Sequence, residues 1–168
     1  MFYKVAMLIA ITFIPALELR ASIPLGIYKY SITWPVVFVV CTLANIAVGL
    51  AWFWALAHLM PLVTRIKPLG YVYNKYVERT QKRIDKAVGK WGEWAVAVFI
   101  GIPLPGSGVY TGALAAYLIG LKWRKFVVAN IVGVLIAAAL VTAVSAAGGG
   151  AWELAQKVFF LDQPGAAP

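Results

Sequence analysis

The sequence contains few of the residues that carry out chemistry in water. Only 12% of its 168 residues are charged, six are acidic, and there is one histidine and one cysteine. A soluble domain of this size usually has about 25% charged residues. Cys41 lies inside an apolar run, which excludes a disulfide framework within the chain and a cysteine metal site. His58 has no partner that would form a nucleophile–base pair, so we expect neither an enzyme nor a metal or other cofactor.

Hydrophobic residues make up the larger share of the chain. They account for 62% of the sequence, against about 45–50% in an ordinary soluble domain. Two long blocks are uninterrupted: Trp34 to Met60, which Pro61 is expected to stop, and residues 126 to 147, which three glycines follow. Each block is long enough to cross a bilayer and is preceded or opened by a tryptophan, which suits an interfacial anchor. The sequence therefore predicts an all-α integral membrane protein.

Two further apolar segments are broken in the middle. Residues 5 to 30 contain IPALELRASIPLG at 14 to 26, and residues 94 to 121 contain GIPLPGSG at 101 to 108. Neither half of either segment reaches the roughly 20 residues that a spanning helix needs. Each segment is either one kinked span or a re-entrant hairpin that enters and leaves the membrane on the same side.

The distribution of basic residues favours re-entrant hairpins. Eight Lys and Arg lie between residues 65 and 90, and KWRK follows at 122 to 125. With re-entrant hairpins, these eleven basic residues share one face, and the other face has only Lys4, Lys29 and Lys157. The positive-inside rule then places the loop 62–92 on the cytoplasmic side of the plasma membrane. No base-reading module surrounds the basic loop, so we expect lipid and not nucleic acid beside it.

A weak internal repeat predicts the same topology. LANIAVGL at 43–50 matches VANIVGVL at 128–135 with an offset of 85 residues, and Ile14-Pro15 matches Ile102-Pro103 with an offset of 88. Each half then consists of a re-entrant hairpin followed by a spanning helix, and the halves are inverted, which is a transporter pattern. We predict a single transmembrane domain: repeat one 1–61, a basic amphipathic linker helix 62–92, repeat two 93–150 and an interfacial tail 151–168.

Glu18 and Arg20 are the candidate proton- and substrate-binding residues. They would lie at the first hairpin tip, bracketed by Pro15 and Pro24, near the middle of the membrane. An ionised side chain there is costly and is usually functional. One interpretation is an internal ion pair that locks the hairpin. In the other, Arg20 binds a phosphate or carboxylate, and Glu18 takes up a proton or a cationic substrate.

The second tip, residues 101–112, has no charge but offers backbone amides and hydroxyls that could face an anion. Packing against the first tip and contact with substrate are equally good interpretations. Its candidate residues are Gly101, Pro103, Pro105, Gly106, Ser107, Gly108, Tyr110 and Thr111. Asn45 and Asn130, inside the spanning helices, are expected to hydrogen bond to the broken tips as supporting polar residues.

The stretches PALELRASIPLG and GIPLPGSGVYTGAL resemble the small multi-drug export protein family, and the resemblance covers nearly the whole chain. That family is similar to the DedA superfamily, whose members have two facing re-entrant hairpins with embedded acidic and arginine residues. The resemblance implies that Glu18 and Arg20 are the functional pair. This chain differs from the DedA pattern in the second tip, where that pattern has a further arginine and this chain has none.

These observations together predict a proton-coupled transporter that exports or flips a small amphiphilic substrate. The alternatives are a DedA-like phospholipid or polyprenyl-phosphate flippase or scramblase, and a membrane scaffold that transports nothing. The expected partners are membrane lipids, protons and an amphiphilic or lipid substrate. A homodimer, which would thicken the walls of a central cavity, is a further possible partner arrangement.

Overall fold

The computed structural model describes residues 2–15, 17–63, 92–103 and 107–147. Within them the chain is helical and contains no strand, so the all-α prediction is confirmed. The helices are α1 Phe2–Thr12, α2 Glu18–Pro24 with a π-helical turn Leu25–Lys29, α3 Trp34–Val63, α4 Gly92–Gly101, α5 Val109–Leu118 and α6 Trp123–Ala146. The predicted linker helix and the predicted interfacial tail lie outside the described residues.

Two helices are long and apolar enough to cross a membrane: Trp34–Met60 within α3 and Trp123–Ala146. They run antiparallel, because Phe53 in the second half of α3 stacks on Phe126 near the start of α6, with ring centroids 4.2 Å apart. At the opposite end, Trp34 lies across a groove from Ala146. The expectation that Pro61 ends the first helix was wrong, since α3 continues to Val63. The fixed φ of proline suits a helix, and only the preceding turn has to accommodate its ring.

The outer surface of these helices is apolar. Leu43 is 62% exposed, Val144 is 55% exposed and Leu140 is 46% exposed. Continuous exposed apolar surface of this kind marks contact with lipid or with another protein. Together with the length of the two helices, it indicates a membrane protein.

The other four helices form two short pairs, α1 with α2 and α4 with α5. Helix α1 has 11 residues and α4 has 10, so each is roughly 16 Å long, about half of a ~30 Å hydrocarbon core. Each pair begins and ends at one end of the molecule. Lys4 Nζ near the start of α1 donates to Tyr30 O after α2 at 2.9 Å. Glu93 at the start of α4 pairs at 2.8 Å with Lys125 in the first turn of α6, the helix that follows α5.

The second proline of the first motif does not lie at the break. Pro24 is buried inside the helical segment that runs from Glu18 to Lys29, whereas Pro15 lies in the irregular stretch between α1 and α2. Pro24 has no N–H to donate within the helix, and a π-helical turn follows it directly. In this turn Tyr30 N donates to Leu25 O at 3.0 Å. The segment therefore remains helical past the proline, and the first break is shorter than predicted.

Candidate functional site

The two helix breaks meet near the middle of the long helices. The hydroxyl of Tyr110, at the start of α5, donates to Phe13 O in the first break at 2.5 Å. Arg20 Nη2 on α2 donates to Ile102 O, just after α4, at 3.4 Å. Residues 82 to 97 positions apart in sequence thus form one site, and this site contains the predicted pair of charges.

Glu18 lies against the N-terminus of α5. Its side chain is 5% exposed, and Oε2 accepts a hydrogen bond from Val109 N at 3.3 Å. The backbone N–H of Tyr110 and the side chain of Asn45 lie near this carboxylate and add to its electrostatic stabilisation. The first N–H groups of a helix have no partner within the helix, and the helix dipole favours an anion there. The N-terminus of α5 thereby offsets the free-energy cost of burying the Glu18 carboxylate.

Gly108 makes this approach of the carboxylate possible. A Cβ at residue 108 would lie 2.6 Å from Cδ of Glu18, far inside van der Waals contact. The φ of Gly108 is −135°, which any residue adopts, so glycine is required here for space. The backbone N–H of Gly108 donates to Thr111 Oγ1 at 3.0 Å, and this hydrogen bond caps the first turn of α5.

Arg20 binds the other side of the second break. Its Nη2 donates to the backbone oxygen of Ser107 and, at 3.1 Å, to Ser107 Oγ, in addition to Ile102 O. Ser107 Oγ in turn donates to Ile102 O at 2.6 Å. Of these acceptors, Ile102 O directly follows the C-terminus of α4, where the helix dipole favours a cation, whereas Ser107 lies directly before the N-cap of α5. Glu18 and Arg20 attract each other electrostatically, but each also binds the helix terminus of opposite polarity.

The backbone of Glu18 has an uncommon conformation. Its φ is 45°, in the left-handed region that favours glycine. Non-glycine residues in this region are held there by their surroundings and cluster at functional sites. Here the contacts to Val109 and Asn45 hold the side chain in place.

The comparison with protein families agrees with this geometry. The profile of the family described as "Putative small multi-drug export protein" matches residues 18–140, which is more than two thirds of the chain. The chain belongs to this family. The match begins at Glu18, the first residue of α2, so it includes both charged residues of the site and the second helix break but not the stretch between α1 and α2. No curated protein and no solved structure matches the chain. The relationship to the DedA superfamily stays a prediction.

In this member of the small multi-drug export family, the two buried asparagines have different partners. Asn45 lies near the Glu18 carboxylate. The prediction for Asn130 was wrong, because its Nδ2 donates to Ile46 O of the other long helix at 3.1 Å. Gly49 leaves room for it, since a Cβ there would lie 2.9 Å from Asn130 Cγ. Asn130 thus joins α3 to α6 at their crossing and does not reach the described part of either tip.

The remaining predicted tip residues are only partly irregular. Gly101 is the last residue of α4, and Pro103 lies in the break. Tyr110 and Thr111 belong to the first turn of α5, so the irregular stretch ends sooner than residue 112. The prediction missed the edge-on contact of Trp52 with Tyr110, at 5.4 Å between ring centroids. Pro105 and Gly106 lie outside the described residues.

A second polar group that the sequence interpretation missed lies one helical turn from the site. The hydroxyls of Thr12 and Ser22 are 2.9 Å apart, both side chains are fully buried, and Thr12 also donates to Leu8 O at 2.8 Å. Hydroxyl residues are easily accommodated within apolar helices because they can bond to the preceding turn. Hydroxyl residues at positions 12 and 22 of an apolar segment therefore gave little indication that they would contact each other.

Proposed function

We propose that this member of the small multi-drug export family is a plasma-membrane transporter that exports or flips a small amphiphilic molecule and couples this movement to protonation of Glu18. It acts as a carrier and carries out no enzymatic reaction, and it needs no cofactor. Each helix pair is a re-entrant hairpin, and the two halves of the chain form an inverted repeat around the site.

The pattern of helix contacts supports the inverted repeat. Exchanging α1 with α4, α2 with α5 and α3 with α6 converts the set of packed helix pairs into itself. Within the halves, α1 packs on α2 and α3 as α4 packs on α5 and α6; between them, α2 packs on α6 as α5 packs on α3. Short helix pairs that start and finish at opposite ends of an antiparallel core are also what two re-entrant hairpins require.

Exposed charge supports a cytoplasmic location for one end. Lys122, Arg124 and Lys125 are exposed at the start of α6, beside the end of α3. The basic residues 65–90 are connected to the chain at this same end, between α3 and α4. Anionic lipid of the cytoplasmic leaflet would attract this concentration of positive charge.

The observation that carries the proposed function is the burial of Glu18 where the two hairpins meet. As a carboxylate, Glu18 is held by the N-terminus of α5 and by the field of Arg20. A proton cancels its charge and with it most of the attraction to the helix dipole and to Arg20. The contact between the hairpins then weakens, which gives protonation a direct effect on the arrangement of the transport site.

The test is transport by the purified protein in liposomes under an imposed pH gradient. A panel of fluorescent amphiphiles and an internal pH dye would report substrate movement and proton movement together. Glu18→Gln should abolish both while leaving the protein folded and inserted. Glu93→Gln is the matched control, because it removes an acidic residue from a partly exposed ion pair with Lys125, and it should transport at the wild-type rate. Full proton-linked transport by Glu18→Gln would refute the proposal.

A lipid flippase is the second candidate, and the exposure of the breaks favours it. Phe13 is 52% exposed, Ile14 is 46% exposed and Ile102 is 43% exposed, so the meeting point of the breaks extends to the surface that lipid would cover. A head group could reach Arg20 from this side. Movement of fluorescent phospholipids between leaflets, without any other substrate, would favour this candidate. A scaffold would move neither lipid nor amphiphile, and Glu18→Gln would change its stability alone.

A further inference from the structure

The place that the Glu18 carboxylate occupies has the properties of a binding site for an anion. The backbone N–H of Val109 donates to the carboxylate at 3.3 Å, and the N–H of Tyr110 and the side chain of Asn45 also interact with it. Gly108 leaves the space that the carboxylate fills. Helix α5 has ten residues, and its dipole adds to the field at this point.

Asn45 gives an independent indication of a ligand. Its side chain is 1% exposed and is directed at this site, yet its Oδ1 has no hydrogen-bond partner among the described residues. Buried polar atoms nearly always have a partner in a native structure. An ionised carboxylate only accepts hydrogen bonds, so Glu18 leaves this oxygen unpaired. An oxyanion that also carries a hydroxyl, such as hydrogen phosphate or a phosphate monoester, can accept from the N–H groups and donate to Asn45.

We propose that Glu18 is an internal occupant of an anion-binding site at the N-terminus of α5, and that the oxyanion of the transported molecule takes its place. This inference rests on the proposed function and names its substrate class: a small amphiphile with a phosphate or carboxylate group. Arg20, which binds Ser107 two residues before Val109, provides the positive field that both occupants share.

The backbone of Glu18 supplies a suitable variant for testing the site. Because φ at residue 18 is 45°, glycine adopts this conformation more easily than alanine does. Glu18→Gly therefore empties the site and at the same time relieves the backbone. Glu18→Ala is the second cavity variant, should the glycine variant not purify.

The experiment measures the thermal unfolding of purified Glu18→Gly in detergent, with formate, inorganic phosphate or chloride added at equal ionic strength. We expect formate and phosphate to raise the melting temperature progressively with concentration, because a ligand that binds only the folded state stabilises it by mass action. Phosphate should act at lower concentration than formate, because it can also donate to Asn45. Chloride should have no effect on the variant. Formate and phosphate should act on the wild type only at higher concentrations than on the variant, because Glu18 competes for the site.

The double variant Glu18→Gly with Gly108→Ala is the matched control. Its new Cβ occupies the vacated space, so the response to formate and phosphate should disappear. Equal responses to all three anions, or a response that survives in the double variant, would overturn the anion site. If Glu18→Gln abolishes transport but Glu18→Gly binds no anion, the proposed function stands and this inference falls. If Glu18→Gly binds anions but the wild type transports nothing, the site stands without the transport role.

Discussion

The two helix breaks of this protein differ in what they contribute to their common site. The first break, between α1 and α2, brings both charged side chains, Glu18 and Arg20. The second, between α4 and α5, has no charged side chain among its described residues and contributes helix termini, with Val109 N facing the anion and Ile102 O facing the cation. Glu18 and Arg20 thus each bind backbone groups of the second break, because a broken helix presents both polarities of the backbone at one point.

This comparison explains why the second break needs glycine and proline. A carboxylate can approach the first turn of α5 only where no side chain intervenes, at Gly108. Uncharged residues in the second break are therefore consistent with an ion-binding role. If the two breaks are complementary in this way, altering either should disable the site, although the effect on stability should differ.

The largest effect is expected from removing the cation. Arg20→Met leaves the carbonyl groups of Ile102 and Ser107 without a charged donor and Glu18 without its cation. We expect loss of transport and a decrease of about 1–3 kcal/mol in the free energy of unfolding, the range for leaving polar groups without their hydrogen-bond partner. Thermal unfolding in detergent and liposome transport would measure the two effects.

Arg20→Lys is the control for charge without geometry. The ammonium keeps the attraction to Glu18 but cannot reproduce the planar fork that binds several acceptors. It should recover part of the stability and little of the transport. Wild-type transport in Arg20→Met would show that the first break does not need its cation.

A smaller effect on stability, with an equally large effect on transport, is expected at Gly108. In Gly108→Ala the new Cβ would displace the flexible end of Glu18 from Val109 N, at an allowed backbone conformation. We expect transport to be lost and the free energy of unfolding to fall by about 1–2 kcal/mol, as for added volume in a packed core.

Gly26→Ala is the matched control, since its Cβ would lie 2.7 Å from Cγ1 of Val37, away from the site. The β-branched Val37 cannot move as freely as Glu18, so this variant should lose at least as much stability. Its folded fraction should still transport. If both variants lost transport to the same extent relative to folded protein, crowding in general, and not displacement of Glu18, would be the cause.

Much of the architecture, but little of the detail of the site, could be predicted from the sequence. The hydrophobic runs predict the two long helices, and the paired Ile-Pro motifs locate both breaks, because hydrophobicity and proline act locally. The position of Pro24 within a helix and the continuation of α3 past Pro61 were not predictable, since a π-helical turn and a tolerated proline depend on the surrounding packing. The attachment of each charge to a different helix terminus depends on contacts across more than 80 residues, such as Arg20 to Ile102.

The smallest effect concerns the asparagines, which occupy equivalent positions in the two halves but have different partners. Asn130→Leu removes the bond to Ile46 O between the long helices and should cost about 0.6–2 kcal/mol, the range measured for such bonds in membranes. Asn45→Leu removes a donor from Glu18 and should slow transport more than it lowers stability. Measuring both variants for melting temperature and transport would separate the roles. The reverse result, with transport sensitive to Asn130 and insensitive to Asn45, would place the functional amide at the crossing of α3 and α6, away from the Glu18 site.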